Sequence, residues 1–468
     1  MKTAILASII FSLITLHMQA QTPSGSYEGH ISFSLGELAI IVHFDSSHDS
    51  LKATIDIPQQ GAKNMELKNV KFNATNLYFE LPAGPGVAKF DGKIFKDSIA
   101  GSFTQATVVG TFHLDKIKPS DTFIEKPKLP YREEEISFTN GENTFAGTLT
   151  IPETGGKHPA VILITGSGAQ NRDEEIMGFK PFKIIADHLS RYGIAVLRYD
   201  DRGFGESKGK TVNESTTMDF ATDVEKAFAY LKGRSDIDAS KIGLLGHSEG
   251  GVVAPMVASR NKDIAFIILM AGTAVKGEDV MNEQKKLIMQ LAGATPQEIE
   301  KSINHSKDLF KALRTGKGME QVKQELKEEV LAMAAKDTAQ KPKTKKEEEQ
   351  LDAALDAQLK SYQSPWMRYF IDLNPQPFLE KVTCPVLILF GELDVQVSAK
   401  QNEIPMRNAL NKAGNKDVTI HILPKANHLF MTAKTGNIDE YGMLKHEFVA
   451  GFLVNISEWT RKVCKLTK

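Results

Sequence analysis

Five short apolar segments recur between residues 160 and 391, and amphipathic or charged stretches separate them. They read AVILIT, IAVLRYD, KIGLLG, AFIILMAG and CPVLILFG. Uniformly apolar runs of this length suit strands that are buried on both faces of a parallel sheet. Two of the intervening stretches, FKIIADHLSRYG and TTMDFATDVEKAFAYLKGR, have helical periodicity and end at or beside a glycine. The alternation predicts an α/β fold with a doubly wound, mostly parallel sheet.

A charged segment with helical patterns, residues 275–373, interrupts this alternation. A segment of this length is too long to be a simple loop in a compact domain. We therefore expect a helical lid insertion over the C-terminal edge of the sheet. Its run KPKTKKEEEQ is interpreted as solvated surface rather than as a binding site.

The N-terminal part of the chain follows a different pattern. Residues 21–118 contain short β-branched or alternating segments between turn residues, which predicts a small all-β domain. The charged, proline-rich residues 119–130 predict a linker. Residues 131–468 are then the α/β domain, whose first segments, EISF and FAGTLTIP, predict a hairpin.

The first 20 residues have the pattern of a secretory signal peptide. Lys2 precedes an apolar run from Ala4 to Leu16, and the polar exit ends at the small residue Ala20. The run is shorter than the roughly 20 apolar residues that cross a bilayer. We expect cleavage after Ala20, a periplasmic or secreted location, and no membrane span in the mature chain.

Composition restricts the partners and the cross-links of the chain. Its 57 basic and 58 acidic residues give a net charge of -1, which gives no reason to expect nucleic acid or an anionic membrane as a partner. Cys384 and Cys464 are the only cysteines, so disulfides are not the main source of stability. Cys384 is expected to be a buried thiol, whereas Cys464 is either paired or free. The oligomeric state stays open.

The pentapeptide GHSEG, residues 246–250, follows the strand KIGLLG and precedes the apolar stretch VVAPMVAS. In this strand–turn–helix context, G-x-S-x-G marks a nucleophile elbow, a strained turn that exposes a serine and accepts only small flanking residues. We therefore predict Ser248 as a nucleophile and His247 as a support of the elbow. The backbone N–H of Glu249, which follows the nucleophile, is a predicted oxyanion donor.

A nucleophilic serine needs a base, and the base needs an orienting acid. In α/β-hydrolases these residues follow in the order Ser, Asp or Glu, His. Asp394 lies just beyond the strand CPVLILF, and His428 lies in the loop after VTIHILP; both positions are strand ends, where ligands collect in such sheets. Glu392 is an alternative acid. His421 and His446 are weaker candidates for the base, because they fall inside a predicted strand and a predicted helix.

The loop after AVILIT reads GSGAQNRDE, and its glycines allow the backbone to approach a substrate closely. We predict that the N–H of Ser167 is the second oxyanion donor. Three polar residues of this loop are expected to brace it or to meet substrate: Gln170, Arg172 and Asp173. In RYDDRGFGES, Asp200 and Asp201 are expected to be structural, with Arg202 as a partner.

Several motifs in this order resemble the bacterial α/β-hydrolases of the EstD esterase type: TGSGAQNRDE, RYDDRGFGES, GHSEGG, PWMRYF, GELDVQV and NHLF. GSYEG and IDIPQQGA are similar to the N-terminal β domain of that family, so the resemblance covers nearly the whole mature chain. It implies carboxylesterase activity on short acyl groups, with Ser248, Asp394 and His428 at the triad positions. The His-Gly oxyanion dipeptide of the broader superfamily is replaced by Thr165-Gly166, a change that concerns substrate preference more than activity.

The sequence thus predicts an extracytoplasmic carboxylic ester hydrolase with the α/β-hydrolase fold, acting on a small-molecule ester through an acyl-enzyme. No cofactor and no metal are expected. Three alternatives stay open: a serine peptidase, since the same triad cleaves amides; an acyl thioesterase; and a non-catalytic binding protein on a hydrolase scaffold.

Overall fold

The computed structural model describes residues 22–466 apart from 34–35, 47–50, 59–61, 74, 84–85, 106–107, 118–127 and 337–344. The predicted signal peptide and most of the predicted linker lie outside the described residues. The chain divides into two compact units, Met1–Phe123 and Ile124–Lys468, and each is described by itself.

The first unit is an antiparallel sheet of nine strands in the order β4-β3-β2-β1-β9-β8-β7-β6-β5. Inward side chains alternate with outward ones along β7, as expected for a sheet with one buried face. Its core contains Phe79 stacked on Phe90 at 4.6 Å between ring centroids, with Phe112 edge-on to Phe90 at 5.4 Å. The prediction of an all-β N-terminal domain is confirmed. The strands are β1 (Gly25–Phe33), β2 (Gly36–Asp45), β3 (Lys52–Ile57), β4 (Ala62–Glu66), β5 (Lys68–Asn73), β6 (Asn76–Ala83), β7 (Gly86–Phe95), β8 (Ser98–Gln105) and β9 (Val108–Lys116).

The second unit contains an eight-stranded sheet in the order β10-β11-β13-β12-β14-β15-β16-β17. β10 and β11 form the predicted hairpin, and from β13 to β17 neighbouring strands are parallel. The five apolar segments form β12 to β16, which are buried throughout except in the first half of β14, so the prediction of a mostly parallel α/β sheet is confirmed. The strands are β10 (Tyr131–Asn140), β11 (Asn143–Pro152), β12 (His158–Ile164), β13 (Ala195–Tyr199), β14 (Ile237–His247), β15 (Ile267–Met270), β16 (Val386–Gly391) and β17 (Val418–Leu423).

The strand order places a topological switch at β12. The chain passes from β12 to its neighbour β13 on one side and then to β14 on the other side. The loops that leave β12 and β14 therefore separate at the C-terminal edge of the sheet and leave a crevice between them, which is where ligands bind in open α/β sheets. This order, with its antiparallel start, is that of the α/β-hydrolase fold.

Outside the chain segment between β15 and β16, five helices of the second unit contribute buried side chains to the core around the sheet. They follow the predicted pattern: α1 and α2 are the two stretches that end beside a glycine, and α3 is the apolar stretch after the elbow. The helices are α1 (Pro181–Arg191), α2 (Thr217–Lys232), α3 (Gly250–Arg260), α10 (Ala399–Lys412) and α11 (Phe452–Val463).

The predicted insertion between β15 and β16 is helical. α5 shows why: Thr295 and Glu298 form a capping box at its start, Pro296 occupies its first turn, and Gly316 ends it with φ +69°. A small core of its own, including Phe310 and Leu359, packs these helices together. The helices are α4 (Gly277–Leu291), α5 (Pro296–Thr315), α6 (Met319–Lys336), α7 (Lys345–Tyr362), α8 (Pro365–Phe370) and, before β16, α9 (Gln376–Leu379).

Both cysteines are free thiols, so Cys464 does not form a disulfide. Burial raises the pKa of Cys384 to about 11 and that of Cys464 to about 12, which keeps both as unreactive neutral thiols. Cys384 is only partly buried, less than predicted. Within the described part of the chain, no helix has the length and apolar character needed to cross a membrane.

Candidate active site

Ser248 occupies the turn between β14 and α3. Its φ is +53°, a left-handed conformation that costs a non-glycine residue on the order of 1–3 kcal/mol. The turn tolerates nothing larger than glycine on either side: a Cβ on Gly246 would lie 2.0 Å from the Gly250 carbonyl oxygen, and one on Gly250 would lie 2.2 Å from the Ile164 oxygen. The Ser248 N–H donates to the Met270 carbonyl at 2.8 Å. The elbow predicted from GHSEG is therefore present, with Ser248 partly exposed.

Asp394 and His428 form a buried hydrogen-bonded pair. The distance from His428 Nδ1 to Asp394 Oδ2 is 2.8 Å. The other carboxylate oxygen, Oδ1, accepts the backbone N–H groups of Gln396 at 2.8 Å and Val397 at 2.9 Å. Two backbone donors thus fix the carboxylate and leave Oδ2 for the imidazole. With Nδ1 engaged in this way, Nε2 is the ring nitrogen that remains to take a proton.

Ser248 and His428 line one cavity of about 240 Å³. The described residues show no hydrogen bond between these two side chains, and such bonds often tighten only when substrate binds. The insertion supplies one apolar part of the cavity wall through α4 and α8. The residues that contribute this part are Val280, Met281, Trp366 and Phe370.

The alternative acid and bases lie elsewhere. Glu392 is exposed, and its carboxylate accepts the N–H of Lys425 at 2.8 Å. His421 lies on the edge strand β17, and His446 lies beside Phe179, with 5.9 Å between the ring centroids. None of the three lines the cavity that contains Ser248.

The loop after β12 lies directly against Ser248. A Cβ on Gly166 would be 3.3 Å from the Ser248 Cβ. The Gly166 N–H is occupied, since it donates to Glu174 Oε1 at 2.7 Å. Ser167 and Glu249 line the cavity, and no hydrogen bond among the described residues uses the backbone N–H of either. Both groups are therefore available as the predicted oxyanion donors.

Ion pairs and buried carboxylates brace this loop. Arg172 Nη2 contacts Asp200 Oδ2 at 2.9 Å, and Asp173 pairs with Arg198. Asp201 accepts the Thr165 hydroxyl at 2.7 Å and the Gln170 N–H at 2.8 Å. Burial raises the pKa of Asp201 well above its ordinary value.

The prediction that Arg202 is the partner of Asp200 and Asp201 is wrong. Arg202 pairs at 2.7 Å with Asp223 of α2, and both side chains are buried. The physical reason is that Arg172 already supplies the cation at Asp200, while Asp223 is a buried carboxylate of α2 that needs a cation of its own.

A tryptophan of the insertion contacts the elbow, which the sequence did not reveal. Trp366 Nε1 donates to the buried carboxylate of Glu249 at 2.9 and 3.0 Å, and the Thr217 hydroxyl donates to it at 2.6 Å. Burial raises the pKa of Glu249, although these hydrogen bonds oppose the shift. Trp366 also stacks on Phe370 at 5.0 Å. The motif PWMRYF was visible in the sequence, but nothing local identified its partner.

Comparison with known proteins gives matches to hydrolases. The family model described as "Serine aminopeptidase, S33" matches residues 179–363, and that of the prolyl oligopeptidase family matches residues 298–453. The chain is 29% identical over 323 residues to the esterase EstD of Thermotoga maritima, which covers 68% of this chain and 66% of that protein. It is 30% identical over 166 residues to the putative hydrolase YtaP of Bacillus subtilis, covering 31% of this chain and 56% of that protein.

Among solved structures, an esterase of Pyrococcus furiosus matches with a TM-score of 0.43 and 15% identity, over 75% of this chain and 94% of that one. The chain spans about two thirds of the length of EstD and a smaller share of the length of YtaP.

Proposed function

We propose that this chain, an α/β-hydrolase and a homologue of the esterase EstD, hydrolyses carboxylic esters with Ser248, His428 and Asp394 as its catalytic triad. One observation carries the proposal. Ser248 on a strained elbow and His428, bonded to Asp394, line the same cavity, and so do two backbone N–H groups that have no hydrogen-bond partner among the described residues. This arrangement supplies a nucleophile, a base with its orienting acid, and donors for an oxyanion.

The steps follow from this geometry. His428 Nε2 removes the Ser248 hydroxyl proton as the serine oxygen attacks the ester carbonyl carbon, and the N–H groups of Ser167 and Glu249 stabilise the oxyanion. The protonated His428 then gives its proton to the leaving alcohol, which leaves an acyl group on Ser248. Water adds to the acyl-enzyme with His428 again as the base, and the carboxylic acid departs with Ser248 restored.

The cavity supports a preference for short acyl groups. Its volume of about 240 Å³ is below the roughly 300–1,000 Å³ of ligand pockets that hold drug-sized molecules. Trp366 and Phe370 stand on one side of it as a stacked pair. A small ester with an acetyl-like acyl group is the substrate class that such a cavity favours.

Shortening Trp366 tests this preference. The variant Trp366→Leu should raise the ratio of kcat/KM for p-nitrophenyl octanoate to that for the acetate by about tenfold, because a smaller side chain enlarges the acyl site. Absolute activity on the acetate should fall, since Glu249 loses a hydrogen-bond donor. The matched control is Trp459→Leu, because Trp459 packs on Phe266 outside the cavity; there the ratio should stay at the wild-type value. An unchanged ratio in Trp366→Leu contradicts the short-acyl preference.

The second candidate is a serine peptidase, favoured by the two family models, which are named for peptidases. An aminopeptidase needs a free carboxylate for the substrate ammonium group. The two carboxylates that line the cavity, Glu174 and Glu249, are both buried and already accept hydrogen bonds from protein donors. This occupancy favours the esterase, and rates on p-nitrophenyl acetate and on alanine p-nitroanilide separate the two activities.

We propose a periplasmic or secreted location for the mature enzyme, supported by the pattern of its first 20 residues. The test is to express the full chain in a Gram-negative host and to identify the N-terminal peptide of the extracytoplasmic protein by mass spectrometry. That peptide should begin at Gln21. Protein that stays in the cytoplasm with Met1 intact contradicts this proposal.

A further inference from the structure

His247, next to the nucleophile, has a hydrogen-bond acceptor at each ring nitrogen. Nδ1 lies 2.9 Å from Glu174 Oε1, and Nε2 lies 3.0 Å from the carbonyl oxygen of His428. A carbonyl oxygen can only accept, so Nε2 carries a hydrogen. If Glu174 is ionised, Nδ1 must also carry one, and the ring is an imidazolium. Both side chains are almost fully buried, His247 at 3% and Glu174 at 1% exposure.

One carboxylate oxygen of Glu174 is the shared acceptor of two contacts. Its Oε1 accepts the Gly166 N–H at 2.7 Å as well as the hydrogen bond of His247. Its Oε2 is buried and has no hydrogen-bond partner in the part of the chain that the structure describes, so a proton on that oxygen would find no acceptor there. Glu174 also has a left-handed backbone, with φ +51°, a strained conformation of the kind that surrounding structure must maintain.

The charges around His247 agree with this reading. Burial alone would lower the pKa of His247, but the charge and the hydrogen bond of Glu174 outweigh it, and the pKa lies above its ordinary value. The hydrogen bond to the His428 carbonyl and the charge of Asp394 act in the same direction. The titratable groups around the His247 ring are Glu174, Asp201, Glu249, Asp394, His428 and Tyr441.

The pair lies beside the reacting groups. The rings of His247 and His428 are 4.7 Å apart between centroids. A Cβ on Gly166 would lie 3.6 Å from His247 Nδ1 and 3.3 Å from the Ser248 Cβ. His247 and Glu174 therefore connect the loop after β12, the elbow and the loop that contains the base.

We propose that His247 is a charged positioning residue, held as an imidazolium by Glu174, that opposes protonation of His428 and keeps the base active in mildly acidic solution. The inference rests on the proposed function. A positive charge disfavours a second positive charge nearby, so the neighbouring imidazolium reduces proton binding at His428. Its hydrogen bond to the His428 carbonyl also fixes the loop that bears the base.

Two variants remove the charge in different ways. His247→Asn removes the cation and keeps Glu174, whereas Glu174→Gln keeps an oxygen that can accept the Gly166 N–H and removes the negative charge that holds His247 protonated. In both, the acidic limb of the pH profile of kcat/KM should move to higher pH, because His428 then takes up a proton more readily. We expect a shift of about one pH unit in His247→Asn and a smaller one in Glu174→Gln.

The control is His446→Asn, which replaces another histidine outside the cavity and should leave the profile unchanged. A fall in kcat/KM at every pH with the acidic limb in place would mean a merely structural role and would overturn the inference.

Nitrogen NMR of the imidazole groups in Ser248→Ala gives a readout that does not need activity. Both ring nitrogens of His247 should be protonated at about pH 7, and a singly protonated ring overturns the inference even if the esterase proposal holds. Equal rates for wild type and Ser248→Ala would instead contradict the esterase proposal alone.

Discussion

Replacing Ser248 by alanine should lower kcat for p-nitrophenyl acetate by about 10⁴-fold or more. The variant keeps the predicted oxyanion donors and the cavity but has no oxygen to form the acyl-enzyme, so only catalysis by binding and by the oxyanion donors remains. Initial rates at saturating substrate measure the effect.

The fold should survive this change. Alanine is no larger than serine, and the Ser248 N–H that bonds the Met270 carbonyl belongs to the backbone. The melting temperature should therefore stay within a few degrees of the wild-type value. A variant that is folded and keeps activity within tenfold of wild type would contradict the assignment of Ser248 as the nucleophile.

Replacing Asp394 by asparagine should lower kcat by about 10⁴-fold. Oδ1 accepts two backbone N–H groups, from Gln396 and Val397, so the amide oxygen of the variant will occupy that position. Its NH₂ group then faces His428 Nδ1 and donates to it, which places the imidazole hydrogen on Nε2. In that tautomer the nitrogen that should accept the serine proton is already protonated, and the base is lost.

Glu392→Gln is the matched control for this variant. Glu392 lies two residues from Asp394, but its exposed carboxylate accepts the Lys425 N–H and does not contact His428. Its activity should stay within about twofold of wild type. If Glu392→Gln loses activity while Asp394→Asn keeps it, the acid of the triad has been assigned to the wrong residue.

The architecture of the second unit could be predicted because strands that are buried on both faces of a sheet need short, continuous apolar segments, which are visible in the sequence. Segments such as AVILIT and CPVLILFG are apolar at nearly every position, and β12 and β16 are buried throughout. The elbow was predictable for a similar reason, since its steric demands at Gly246 and Gly250 act within five residues.

The sequence predicted Asp394 as the acid and left Glu392 as an alternative, and the structure shows how the two differ. Both follow β16, and only the fold shows that Asp394 turns inward to two backbone donors while Glu392 stays at the surface.

The remaining contacts of the site could not be predicted from the sequence, because the two residues of each contact are distant along the chain. Glu174 and His247 are 73 positions apart, and Glu249 and Trp366 are 117 apart. Neither pair produces a periodicity or a spacing that marks it. The Arg202–Asp223 pair, 21 positions apart, was missed because Asp200 and Asp201 lie next to Arg202 in the sequence. In the structure these two carboxylates bind other donors.

Covalent trapping of the nucleophile tests the central claim most directly. A fluorophosphonate reacts with an activated serine, so intact-mass spectrometry should show one phosphonyl adduct per wild-type chain, and peptide mapping should place it on Ser248. Ser248→Ala should remain unlabelled under the same conditions, and Glu392→Gln should be labelled as the wild type is. A wild-type protein that hydrolyses esters yet takes up no label, or takes it up at another residue, would contradict the account.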